Sequence, residues 1–331
     1  PPPPPPPPPP PTPPDFSSRR RHTRSSVESR GLGDVYKRQA TETARKRSCT
    51  IIGPWSHYGV GRNWGAIKFG PEANLQLARL DIQWFDYWLK GKANGVDAWS
   101  PYRIFVMGDN RWRDEMEWPL ARAKERLLYL TSGGQANTPE GNGRLSNTPP
   151  SVAMSDRYSY DPKNPVPTLY DEWRGETKYY TTTTDQRPLA DREDILVYQS
   201  EPLTERIEVT GNPIVELHAA SSAPDTDFFV RLIDVAPDGL ARDVSMGMVR
   251  SRYRDGLDKP KLMEPGEVVK YTIRMNPTSN AFLPGHRIRL DITSSDFPNY
   301  DRNHNTAADQ NADAALETAT QIVHHGGTRP T

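Results

Sequence analysis

From Ala40 onward the apolar and polar positions describe one helix followed by a long succession of strands. Ser48-Cys-Thr-Ile-Ile52 predicts a short strand that stops at Gly53-Pro54, because proline has no amide hydrogen to give a ladder. A loop rich in glycine and aromatic residues runs from there to Trp64. A helix then follows. Pro71 suits a first helical position, Leu75, Ala78, Ile82, Phe85 and Leu89 recur at spacings of three and four, and Gly91 offers a left-handed stop. Trp84 and Trp88 lie one turn apart and widen the apolar stripe, so this helix is expected to pack on a sheet.

After Asn94 the period changes from helix to strand. Short strands are predicted at Arg103 to Met107 and Arg126 to Leu130, and at Pro213 to Ala219, where Val215, Leu217 and Ala219 alternate with Ile214, Glu216 and His218. Val269, Tyr271, Ile273 and Met275 alternate with Lys270, Thr272 and Arg274, and Ile288, Leu290 and Ile292 alternate with Arg289, Asp291 and Thr293. Such alternation predicts strands with one buried face and one wet face. Turns are expected at Pro237-Asp238-Gly239, Pro265-Gly266 and Pro284-Gly285. The polar passage from Gly133 to Asp194, rich in proline and glycine, gives no strand signal. The sum is a mainly β chain, with a two-sheet jelly-roll β-sandwich as the natural subtype.

Composition changes this picture at the amino terminus. The chain has 331 residues, room for two domains, but thirteen of its first fourteen residues are proline, a run that forms an extended helix and buries nothing. Phe16 to Gln39 is rich in serine and arginine and too poor in apolar residues to pack. Arg19, Arg20, Arg21 and Arg24 around His22 would fit a basic arm, a targeting signal or a solvated tail, but the stretch resembles the read-through translation of a sequencing-library adapter. The native amino terminus is therefore expected to be missing, which leaves the compartment unspecified.

Charge is balanced, with 42 Lys and Arg against 42 Asp and Glu, so no global field recruits a nucleic acid. No stretch approaches the roughly 18 apolar residues of a membrane span. The single cysteine, Cys49, excludes an internal disulfide and a cysteine-based zinc cage, and suits a buried strand end.

Candidate chemistry centres on Ile51-Ile-Gly-Pro-Trp-Ser-His57-Tyr-Gly59, where a strand delivers a histidine onto a glycine-bounded loop ahead of the helix. A lone histidine is more often structural than catalytic. An imidazole titrating near neutrality can, however, take a serine proton and return it to a leaving group. No Gly-x-Ser-x-Gly occurs in the chain, and neither Ser56 nor Ser245 has the surroundings of a nucleophile elbow. Between Ala40 and His57 the only carboxylate is Glu42.

Other polar clusters have ordinary structural explanations. Asp225, Asp227 and Asp234 are too dispersed for a calcium loop, and His324-His325 beside Gly326-Gly327 is expected to form a surface turn. Arg250, Arg252 and Arg254 are expected to share one face of a strand and to pair with acidic residues. The Asx-rich stretch Ser294 to Thr306 is expected to satisfy its own backbone as a loop. No cofactor and no metal is implied.

Several segments carry a family resemblance. Gly53-Pro-Trp-Ser-His57 resembles the Gly-Pro-Trp-x-His segment of the cocaine esterase and X-prolyl dipeptidyl-peptidase (CocE/NonD-type) serine hydrolases. Phe85-Asp-Tyr-Trp-Leu-Lys-Gly91, Val106-Met-Gly-Asp-Asn-Arg-Trp112, Ser200-Glu-Pro-Leu203, Asp225-Thr-Asp-Phe228, Asp234 to Gly239 and Ser294 to Thr306 follow in the family's order. The resemblance implies that His57 is the catalytic base of a Ser-His-Asp triad whose serine and aspartate are absent from this chain, so that the chain alone is inert. With 1–39 expected to be disordered from its composition, the resemblance divides the rest into a remnant of an α/β-hydrolase domain at 40–95, holding that domain's last strand and helix, and a jelly-roll, galactose-binding-like domain at 96–331. The strand and helix of the remnant would then lack their sheet and leave apolar surface exposed.

The implied substrates of the intact hydrolase are small acyl esters, amides or peptides, with neither nucleic acid nor membrane as partner and the oligomeric state unspecified. The rival expectation is a non-catalytic module binding carbohydrate or a partner, for which Trp99, Trp112, Trp118 and Trp173 would have to line one face.

Overall fold

The computed structural model describes residues 47–55, 67–169, 171–173, 177–179, 184–310, 312 and 314–331, with the backbone alone at 171–173 and 177–179. The polyproline run, the Phe16 to Gln39 stretch, Glu42, Ser56, His57 and the glycine- and aromatic-rich loop through Trp64 lie outside the described residues.

Two sheets face each other across one core. The larger has the order β13 (Ala241–Arg250), β12 (Asp227–Val235), β16 (Arg287–Thr293), β9 (Leu196–Gln199), β5 (Arg144–Ser146) and β4 (Tyr129–Thr131). The smaller runs β14 (Val269–Arg274), β11 (Ile214–Ser221), β17 (Ala319–His325) and β6 (Met154–Tyr160). Tyr198, Phe228, Val230, Leu290 and Ile292 from the first meet Tyr158, Leu217, Tyr271, Ile273 and Val323 from the second, all buried. These are the positions that the period of two placed inward on β11, β14 and β16. The chain is thus a mainly β sandwich. Among the described residues no helix is long and apolar enough to cross a membrane.

The predicted turns close as their residues require. Gly239 (φ 85°) joins β12 to β13, Gly266 (φ 84°) precedes β14, and Gly285 (φ 83°) leads into β16 from β15 (Thr278–Phe282). β15 pairs with β10 (Ile207–Gly211).

Several expectations are corrected. First, the outer face of β16 is not wet: Arg289 and Asp291 are 4% and 5% exposed and form a bidentate pair at 2.6 and 2.7 Å. The cause is the polar passage, whose Val166 and Leu189 join Ile195 in a satellite cluster over this side of the sheet. Second, that passage contains strands: β5 extends one sheet, β6 extends the other, and β7 (Asp171–Trp173) pairs with β8 (Thr177–Tyr179). In β6 the buried side chains are Asp156, Tyr158 and Tyr160, so the period of two is present but an aspartate occupies an inward position. Third, Pro71 opens a single 3-10 turn, Pro71–Ala73, and the helix proper, α1, is Leu77–Lys90.

α1 ends at Gly91 in the left-handed conformation (φ 65°), with Lys90 paired to Asp86 at 2.6 Å across one turn. None of its residues is buried, and Ile82, Phe85 and Leu89 are 62%, 54% and 77% exposed. The expectation that it lies against a sheet is therefore not met, and the apolar exposure expected of the remnant is. The strand predicted at Ser48 to Ile52 does find a partner: β1 (Thr50–Ile52) runs parallel to β2 (Tyr102–Val106), which forms a hairpin with β3 (Arg111–Glu115). Cys49 is half-buried one residue before β1.

Gly108, in the β2–β3 turn, has φ 83°, and a Cβ there would stand 2.0 Å from the carbonyl oxygen of Ala281 on β15. Gly108→Ala should therefore cost at least about 2 kcal/mol of unfolding free energy in a urea titration, through strain and forced separation of hairpin and sandwich.

Candidate functional site

His57 lies outside the described residues, but both chain segments that lead to it are described. β1 ends at Ile52, and Gly53-Pro54-Trp55 follows. Trp55 folds back over Gly53: a Cβ on that glycine would lie 2.5 Å from the indole ring, so the Gly-Pro-Trp order is a packing requirement. The Trp55 indole N–H donates to the Ala73 carbonyl at 2.6 Å, which ties the outgoing segment to the returning one. From the hairpin, Trp112 packs on Trp55 (ring centroids 5.5 Å apart) and donates its indole N–H to the Glu72 carbonyl at 2.7 Å. Phe105 on β2 packs edge-on against Trp112 and against buried Phe69.

Polar side chains fix this region to the sandwich. Glu208 on β10 accepts both guanidinium nitrogens of Arg113 on β3 (2.8 and 2.7 Å), Arg206 at 2.8 Å and the Thr210 hydroxyl at 2.7 Å. Burial pushes its carboxyl up, but these donors outweigh burial and hold it at about 2, against an ordinary 4.5. A depressed folded pKa contributes stability that is complete above the ordinary value and is lost as pH falls toward about 2. The urea midpoint of the wild type should thus fall between pH 4.5 and 2, and Glu208→Gln should flatten that limb while lowering the midpoint at neutral pH.

Elsewhere the fold assembles a serine, a histidine and an aspartate that sequence reasoning missed. Asp156 Oδ2 accepts Ser132 Oγ at 2.6 Å, Tyr198 OH at 2.7 Å and His325 Nε2 at 3.0 Å, while Oδ1 accepts the Ala136 amide at 3.1 Å. Burial pushes this carboxyl up, but the bonds from His325, Ser132 and Tyr198 prevail and its pKa lies below the ordinary range. The wiring differs from a hydrolytic triad, in which the carboxylate holds one imidazole nitrogen and the serine faces the other. Here Ser132 Oγ is 3.1 Å from the same Nε2 that contacts Asp156, and the serine hydroxyl donates to the carboxylate. Nδ1 of His325 has no hydrogen-bond partner among the described residues. Such an imidazole cannot take the serine proton; the cluster pins the two sheets together. His325 is 1% exposed at the end of β17, which corrects the expected surface turn.

The remaining candidates are likewise structural. Buried Asp227 pairs with Arg250 through two bonds of 2.8 Å, buried Asp225 pairs with Arg252 at 2.7 Å, and Asn303 donates to both carboxylates. β13 ends at Arg250 and a 3-10 turn takes Ser251–Tyr253, so the three arginines do not share a strand face; Arg254 donates to the carbonyls of Ser251 and Lys261. Asp234 accepts Arg242 at 2.6 Å and lies 2.7 Å from His286 Nδ1.

The Ser294 to Thr306 loop mostly reaches outward, contrary to expectation. Ser294 meets Tyr158 OH, Ser295 accepts the Val166 amide and Asp296 accepts Arg231. Ser294, Ser295, Asp296, Asn303, Asn305 and Thr306 are buried, and their polar groups find partners on neighbouring elements. Ser245 is buried and donates to the Asn276 carbonyl at 2.7 Å. Among the described residues no His, Cys, Asp and Glu set could hold a metal ion.

A profile of the X-Pro dipeptidyl-peptidase C-terminal non-catalytic domain matches residues 94–331. The cocaine esterase of Rhodococcus sp. (strain MB1 Bresler) is 41% identical over 290 residues, covering 85% of this chain and 50% of that protein. A putative Xaa-Pro dipeptidyl-peptidase of Rhodopirellula baltica is 22% identical over 224 residues, covering 65% of this chain and 32% of that protein. Among solved structures, an aminopeptidase from the marine sediment archaeon Thaumarchaeota archaeon superposes with a TM-score of 0.72 at 30% identity, over 86% of this chain and 48% of that one. An α-amino acid ester hydrolase superposes with a TM-score of 0.71 at 28% identity, over 87% of this chain and 50% of that one. The chain thus spans about half the length of the first of these relatives.

Proposed function

Because the chain belongs to the family of the X-Pro dipeptidyl-peptidase C-terminal non-catalytic domain, we propose that its β-sandwich is the supporting module of a serine hydrolase and that His57 is that enzyme's general base. The observation that carries this is the apolar face of α1. Ile82, Phe85 and Leu89 stand in solvent a short distance along the chain from the Gly-Pro-Trp-Ser-His57 segment. Such a face needs a cover, and an α/β-hydrolase domain bearing the nucleophile and the acid is the cover that a catalytic histidine also requires. Residues 40–95 belong to that catalytic layer and 96–331 to the sandwich. The reaction is acyl transfer through a serine ester, on a small acyl ester, an amide or an X-Pro peptide.

Carbohydrate binding has no comparable support. Trp112 is engaged with Trp55 and Glu72, Trp99 packs on Trp84, and the open groove of about 850 Å³ beside Asn137, Arg157 and Arg192 has a single aromatic lining residue, the buried Tyr158.

The test joins the unmatched half of the Rhodococcus relative ahead of residue 47 of this chain. The fusion should release p-nitrophenol from a short-chain ester and take a fluorophosphonate label on its grafted serine, and the unfused chain should do neither. A labelled serine in the unfused chain would sink the proposal.

A further inference from the structure

We propose that Asn94-Gly95 is a self-modifying joint: its asparagine deamidates in the folded chain, and the acid that forms loosens α1 from the chain that follows it. The inference stands apart from the function proposed above. The chain has two Asn-Gly steps, Asn94-Gly95 and Asn142-Gly143. Glycine is the least obstructive residue to follow an asparagine, because no Cβ shields its amide nitrogen. The fold leaves one step open and closes the other. Asn94 and Gly95 are both exposed, and Gly95 stands at φ 84° ahead of a 3-10 turn at Val96–Ala98. A Cβ on Gly95 would meet nothing within 4 Å, and its amide has no hydrogen-bond partner among the described residues. Asn142 is fixed instead. Its Oδ1 accepts the Gly133 and Gln135 amides at 3.1 and 3.2 Å, and its own amide donates to the Gln135 carbonyl at 2.9 Å. Gly143 is buried where a Cβ would stand 2.1 Å from the Val197 carbonyl oxygen.

The step needs only water. The Gly95 nitrogen attacks Cγ of Asn94, its proton passes through solvent to the departing Nδ2, and the Cγ–Nδ2 bond breaks to release ammonia and close a cyclic imide. Water then opens either imide carbonyl, returns a hydrogen to the nitrogen and leaves aspartate or isoaspartate at position 94, with nothing oxidised or reduced. Ring closure requires the backbone between the two residues to turn, which an exposed bend allows and the packing around Gly143 resists. The amide that is lost has a task. Asn94 Nδ2 donates to the Gln83 carbonyl of α1 at 2.8 Å, while Oδ1 accepts the Val96 amide at 3.4 Å. Together with the packing of Trp84 on Trp99, this fastens α1 to the chain beyond it. A carboxylate cannot donate to Gln83, and it sets a negative charge at the negative end of the helix dipole. Lys90 and Lys92 are already held by Asp86, at 2.6 and 2.8 Å.

Two measurements decide it. The full chain is held at mildly alkaline pH, folded or in urea, and its tryptic peptides are weighed over time. In the folded chain the 93–103 peptide should take on the mass of amide-to-acid conversion, with isoaspartate detected by an isoaspartyl methyltransferase, at least about tenfold faster than conversion at Asn142. In urea the two rates should converge to within about threefold, because the packing that separates them is gone. Equal rates in the folded chain, or a disparity that persists in urea, overturn the inference. Separately, Asn94→Asp, which makes the modified state in advance, should speed amide hydrogen exchange in the carboxy-terminal half of α1 about fivefold, with β11, β12 and β16 unaffected. Unchanged exchange in α1 for that variant overturns the loosening.

Discussion

His57→Ala is expected to lower kcat/KM of the ester-hydrolysing fusion by about 10⁴- to 10⁶-fold while leaving its urea midpoint unchanged. The size follows from how triad members act. A serine hydroxyl at neutral pH is a poor nucleophile, and the imidazole both removes its proton during attack and returns it to the leaving group. Removing the base thus forfeits both halves of the cycle, and what survives is the contribution of oxyanion stabilisation and binding. His325 is sealed against Asp156, and His286 is engaged with buried Asp234. A fall of less than tenfold would show that another base acts. A fall accompanied by a lost unfolding transition would mark His57 as structural.

Asp156→Ala should destabilise the sandwich by about 3–5 kcal/mol, the range expected when one member of a buried ionic cluster is removed. For a domain of this size such a loss is about 10 °C in Tm. Asp156 is 0% exposed on β6 and receives donors from β17, from β9 across the core, and from the segment after β4. Its removal leaves the Tyr198 hydroxyl, the Ala136 amide and the His325 ring without the carboxylate they share, and each orphaned buried donor costs about 1–3 kcal/mol. Asp156→Asn keeps the shape but exchanges one acceptor for a donor facing other donors, so it should fall between wild type and alanine. Urea unfolding followed by tryptophan fluorescence measures all three. A loss under about 0.5 kcal/mol would mean that the cluster contributes nothing beyond its packing.

The strands β11, β14 and β16, the turns at Gly239, Gly266 and Gly285, and the stop of α1 at Gly91 were legible in the chain, because each depends on local rules. Alternation sets which side chains share a face, and a positive φ selects glycine. The apolar stripe of α1 was legible for the same reason, but the period predicted that it packs on a sheet, and its exposure was implied by the family resemblance alone.

What only the tertiary structure decided were matters of partnership. Period alone cannot tell that a passage full of proline and glycine will fold across a sheet and bury Arg289 and Asp291, nor that Asp156 points inward as a pin. His325 looked like part of a surface turn because its partners, Asp156 and Ser132, are more than a hundred residues away in sequence. The same holds for the aromatic contact between Trp55 and Trp112: the rings meet because β1 and β3 both pair with β2, and a contact created by strand pairing leaves no periodic trace in the chain that makes it.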